Sequence, residues 1–181
     1  MTADKHPEDE IAVDLKNRGF AALLAWLVPG LGHMYQGRMS KGITIFVSIS
    51  FLFVVGLQMG GGKVVYCSFT GEDLRWQFVG QAFIGSAGVP AVVQNRVRRS
   101  QEKNNKPRTP LFGGRFALPA NHIERAEWLR DYHAYYDIGT LYTLIAGVLN
   151  MFAIFDAYGG PACWYEGYRQ EKSGDKEGQD A

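Results

Sequence analysis

The chain has 181 residues, 46% of them apolar, and carries 19 Lys and Arg against 18 Asp and Glu. A net charge of +1 excludes the strongly basic surface of a nucleic-acid binder. Two cysteines, Cys67 and Cys163, are too few for a disulfide scaffold and lack metal-ligand spacing.

Mean hydropathy is −0.15, which leans soluble, but the charges are gathered into a few segments and the apolar residues into others. Residues 1–18 form a polar tail in which Asp4, Glu8, Asp9, Glu10 and Asp14 outweigh Lys5, Lys16 and Arg18. A cleavable leader is short and basic at this position, so the apolar run that follows is expected to stay in the mature protein. Residues 19–161 read as a single helical membrane domain. Its first candidate span, 19–35, reaches only about 17 residues, the short limit for a ~30 Å hydrocarbon core. Pro29 interrupts that span and predicts a kinked or frayed end. Residues 43–59 hold no charge at all, and a helix apolar on every side needs either lipid or a larger surrounding core than this chain can build. A third segment, 76–93, is weaker, broken by Gly80, Gly85, Gly88 and Pro90; Gly85 and Gly88 would let another helix approach closely.

Residues 94–137 are a basic loop. Within it, over residues 95–110, Arg96, Arg98, Arg99, Lys103, Lys106 and Arg108 face one acid, Glu102, and are expected to meet anionic lipid headgroups. Near its end, Asn121 with Glu124 three residues later predicts a helix start. Ile123, Ala126, Leu129, Tyr132 and Tyr136 then predict an amphipathic helix at the membrane surface. The last span, 138–158, is about 21 residues, roughly 31 Å as a helix. Tyr132, Tyr135 and Tyr136 stand before it, and Tyr158, Trp164, Tyr165 and Tyr168 at or beyond its end, as an interfacial belt. Residues 162–181 return to polar composition. The fold expected is all-α and integral to a membrane, with about four transmembrane helices and an amphipathic interfacial helix before the last.

With four crossings, turn 36–42 and loop 94–137 share one side, and both termini and the 60–75 connection share the other. The cluster at Arg96, Arg98 and Arg99 makes the first of these sides cytoplasmic by the positive-inside rule. Cys67 and Cys163 then fall on the same outer side, where a disulfide could persist.

The most conspicuous stretch is PGLGHMYQGR, residues 29–38. It follows no strand and lacks a GK[ST] ending, so a phosphate-binding role is not supported. Pro29, Gly30, Gly32 and Gly37 instead predict a tight corner, leaving His33, Tyr35 and Arg38 to hydrogen-bond across it or to reach lipid phosphates. In the last span, Asn150 is placed to bond across helices, and Asp156 lies near the interface as a structural acid or an ion-handling one. No GxSxG, HExxH, CxxC or paired-carboxylate arrangement is present.

The run AWLVPGLGHMYQGRMSKGITIF resembles the helix–turn–helix signature of small bacterial membrane proteins related to the two-transmembrane-helix domain family. The closing YDIGTLYTLIAGVLNMFAIFDAYGGP is similar to the last helix of an uncharacterised four-helix relative. The resemblance covers about 18–57 and 135–161, implies membrane architecture and a bacterial inner-membrane location, and leaves the basic insert without a counterpart. Function is expected to be non-enzymatic and without cofactor: an accessory or scaffold subunit in the bilayer, packed on itself or on other membrane subunits. The alternatives are a small transporter with a polar path near Asn150 and Asp156, and a headgroup-sensing module acting through the basic loop.

Overall fold

The computed structural model describes residues 16–69 and 75–160, and its regular elements are all helical. Two helices dominate. α3 (Met39–Met59) and α7 (Ala134–Gly159) are the ones long and apolar enough to cross a membrane among the described residues. They pack antiparallel. Gly56 near the end of α3 lies against Gly139 near the start of α7, and Lys41 at the start of α3 meets Asp156 near the end of α7. The pair therefore has a corner end, at residues 29–41 and 156–160, and a loop end, at residues 60–69 and 104–133.

The first and third candidate spans are not single rods. α1 (Arg18–Leu27) starts at the corner end, where Lys16 Nζ donates to the Tyr35 carbonyl and Phe20 packs edge-on against Tyr35. It reaches only midway along α7. Pro29 and Gly30 then reverse the chain into the short α2 (Leu31–Tyr35). Gly30 has φ of +80°, and a β-carbon there would strike the Gly42 carbonyl and approach the Phe46 amide, so only glycine fits. The 76–93 segment mirrors this from the other end. α4 (Gln77–Gln81) and a 3-10 run (Ala82–Gly88) descend along α7 from the loop end. Gly85, at φ +57° and with the Trp26 carbonyl directly against it, breaks the run. α5 (Val89–Lys103) then climbs back, so that Asn95 reaches Cys67 and Arg98 reaches the Pro119 carbonyl.

Four expected crossings are thus two long helices and two helical hairpins that enter from opposite ends and meet midway. The difference has a local cause. A window of average hydropathy cannot separate a rod from a hairpin, whereas one proline and two left-handed glycines do. It also changes the arrangement of the loops: turn 36–42 and the basic 94–137 region lie at opposite ends of the α3–α7 pair, not together, and Cys67 lies at the end opposite the close of α7.

α6 (His122–Tyr132) begins as the sequence indicates, with Asn121 Oδ1 accepting from the Glu124 amide. It buries Trp128 beside Tyr66 and Lys63, while Ile123, Ala126 and Leu129 of the expected stripe stay exposed. Exposed apolar side chains also cover the outer faces of α3 and α7, among them Phe51 (69%) and Phe155 (64%). An apolar surface of that extent marks contact with lipid or with other chains.

Candidate functional site

Three polar clusters line the inner face of α7, one at each level. At the corner end, His33 Nε2 lies 2.6 Å from Asp156 Oδ2, and Lys41 Nζ donates to the same oxygen at 2.6 Å. Arg38 stands 3.5 Å away. Gln36 Nε2 donates to the Ala157 carbonyl at 2.7 Å. With the carboxylate accepting, His33 carries its proton on Nε2; its Nδ1 is buried without a partner among the described residues. His33 is fully buried, while Asp156 and Lys41 remain partly exposed. Gly37 supplies the left-handed turn that aims Arg38 and Lys41 back at α7. The corner residues of the sequence motif are therefore a clamp on the end of the last helix, and Tyr35 is the piece that holds α1 rather than a ligand group.

Midway, Asn150 is fully buried and bridges the two hairpin tips. Its Nδ2 donates to Ala25 O at 3.0 Å and to Phe83 O at 2.8 Å. The first acceptor exists because of sequence. In a continuous helix the Ala25 carbonyl would accept from residue 29, and Pro29 has no N–H to give. Asn150 replaces the lost donor.

At the loop end, Arg75 is buried between Tyr66 and Tyr136. Its guanidinium donates to both phenol oxygens, at 3.0 and 2.9 Å, to Val64 O at 2.9 Å and to Thr140 Oγ1 at 3.2 Å. It also lies over the Tyr66 ring, 4.2 Å from the centroid. Below it, Gln81 donates to Thr143 Oγ1 at 2.8 Å and to Val64 O at 3.3 Å. Sequence reading missed Arg75, Gln81 and Gln36. The available signal was their position: each stands inside or at the edge of an apolar segment, where a polar group needs a partner.

Among the basic residues, Arg98 bonds Glu102 and the Pro119 carbonyl, and Arg108 bonds Glu124 and the Leu118 carbonyl. These two hold the loop together through contacts within the chain. Arg96, Arg99, Lys103 and Lys106 make no ion pair among the described residues. Burial alone would raise the Glu124 carboxyl, but the Arg108 hydrogen bond and the Ala120 amide outweigh it and hold Glu124 below the usual carboxylate range. Cys67 is buried, with Asn95 Nδ2 donating to Sγ at 3.6 Å, and burial pushes its thiol up. Its expected partner, Cys163, lies outside the described residues. Among the described residues no cluster of His, Cys, Asp and Glu could hold a metal ion.

The fold and its three clusters define a helical protein with two helices of membrane length, organised around the polar face of the second. The chain belongs to a family of unknown function, DUF6677, whose match runs over residues 20–170. That description names no activity and no link to the two-transmembrane-helix domain that the corner resembles. Neither a curated protein nor a solved structure matches the chain.

Proposed function

We propose that this is an integral membrane protein with two crossing helices and two half-depth hairpins, acting as a non-enzymatic scaffold or accessory subunit. One observation carries the reading. The polar side chains at mid-depth, Gln81, Thr143 and Asn150, are fully buried and bonded to the chain's own carbonyls and hydroxyls, while the outer faces of α1, α3 and α7 are apolar. The donors are committed internally, and Gln81 Oε1 and Asn150 Oδ1 are left buried with no partner among the described residues; donors consumed in this way support assembly rather than passage of a solute. In this orientation the loop end, with Arg96, Arg99, Lys103 and Lys106, faces the cytoplasm. The corner end faces outside, together with residues 16 and 160.

Impermeant thiol labelling tests the arrangement. Met39→Cys and Lys106→Cys should react from opposite sides of sealed vesicles, and reaction from the same side would reject it. Extraction of native membranes in mild detergent tests the scaffold role: the chain should leave the membrane in a particle larger than one copy. A monomer bearing no other chain would reject that role.

A small transporter is the second reading, favoured by the two broken segments meeting at mid-depth. Membrane proteins tolerate such backbone where it is buried or lines a cavity. Proteoliposome solute flux abolished by Asp156→Asn would establish it in place of the scaffold.

A further inference from the structure

Where the hairpins meet, a cleft of about 340 Å³ lined in part by Gly85 and Gly88 lies between the tip of α1 and the first turns of α5. Trp26, Phe78, Val89, Val92 and Val93 make its apolar walls, and Arg96 closes one end. Val92, Arg96, Arg99 and Lys103 lie at spacings of four, three and four residues and so form one stripe along α5. That stripe turns from apolar to cationic over about 6 Å, four residues at 1.5 Å each. A bilayer passes from hydrocarbon to headgroup over a similar depth, roughly 5–8 Å on each side.

We propose that the cleft holds an acyl chain of an anionic phospholipid whose phosphate rests on Arg96, with Arg99 and Lys103 beyond it. The charge is complementary, since these bases make no ion pair among the described residues. Size favours a lipid chain over a second copy of the protein. A packed helix is about 10 Å across with its side chains, while the cleft is at the small end of ligand sites. The proposal rests on the membrane reading above.

The full chain is placed in nanodiscs of phosphatidylcholine with one part in three phosphatidylglycerol. Traces of either lipid carrying a diazirine on its acyl chain are then photolysed, and the labelled peptides mapped. The phosphatidylglycerol probe should label peptides containing Trp26 and Val92 several-fold more than the phosphatidylcholine probe. Arg96→Gln should cut that preference about fivefold, the ~1 kcal/mol that one base contributes at an anionic surface. Gly88→Leu should reduce labelling by both probes. Gly88 lines the cleft with ordinary helical backbone, and a β-carbon there meets nothing closer than Ala82 Cα at 3.6 Å, so a side chain can be started at this position without a backbone clash.

Equal labelling by both probes, unchanged in Arg96→Gln, would overturn the proposal. So would a Val92→Cys variant that crosslinks two copies in place of labelling lipid. Alkaline carbonate separates the two ways of failing. Release of the chain from membranes rejects the membrane reading and the site together; retention without headgroup preference rejects the site alone.

Discussion

Replacing Asn150 by Leu roughly keeps the volume and removes a side chain that joins both hairpin tips. Two carbonyls, Ala25 O and Phe83 O, then lose their donor at a buried position. A buried hydrogen bond contributes about 1 kcal/mol net. Polar contacts within membranes average ~0.6 and reach ~1.7 kcal/mol. Two bonds therefore give a loss of ~1–3 kcal/mol for Asn150→Leu. Asn150→Asp is the sharper variant. It is closer in shape, yet burial against two carbonyl oxygens keeps the carboxyl protonated, and a single O–H cannot serve both acceptors, so one carbonyl stays without a donor and stability should fall despite the conservative change. Reversible unfolding in mixed micelles, followed by far-ultraviolet circular dichroism, reads both. An Asn150→Asp protein as stable as the parent, or an Asn150→Leu protein within ~0.3 kcal/mol of it, would show that Asn150 does not bridge the tips.

Gly85→Ala should prevent the native fold from accumulating, because its β-carbon would meet the Trp26 carbonyl on a backbone already at φ +57°; a normal yield of folded protein would refute the tip contact. Arg75→Lys keeps the charge but cannot bond Tyr66, Tyr136, Val64 and Thr140 as a fork, and should cost ~1–2 kcal/mol in the same unfolding assay. Glu124 has a folded pKa held below its unfolded value, so its contribution is present above the ordinary carboxylate range and is lost as pH falls through the folded pKa. Glu124→Gln should remove that acid-side loss from the pH profile of thermal unfolding, and an unchanged profile would deny the Arg108 contact.

Much of the fold was legible because α3 and α7 announce themselves by uninterrupted apolarity. The N-cap at Asn121 was equally readable, since a cap is local chemistry. The corner was recognised as a corner, but not as a clamp on Asp156, because a contact across 123 residues leaves no trace in spacing. The two hairpins were read as spans although both breakers, Pro29 and Gly85, were in view. Helix-breaking residues occur in true spans as well, and only the partners of the freed carbonyls decide between the two. The expected arrangement of loops depends on that count, since each crossing added or removed exchanges the faces of every loop after it. Arg75 escaped notice because a lone base beside an apolar segment ordinarily reads as an interfacial anchor rather than as the hub of two tyrosines.

Asn150 also bears on the order of assembly. Synthesis runs from the amino terminus, so both hairpins leave the ribosome before the helix that completes them. Until α7 arrives, Ala25 O and Phe83 O have no Asn150 to bond, and Arg75 has neither Tyr136 nor Thr140. The closing helix thus completes the bonding of segments made before it, and a nascent chain halted ahead of residue 134 should be more sensitive to proteolysis than the full chain.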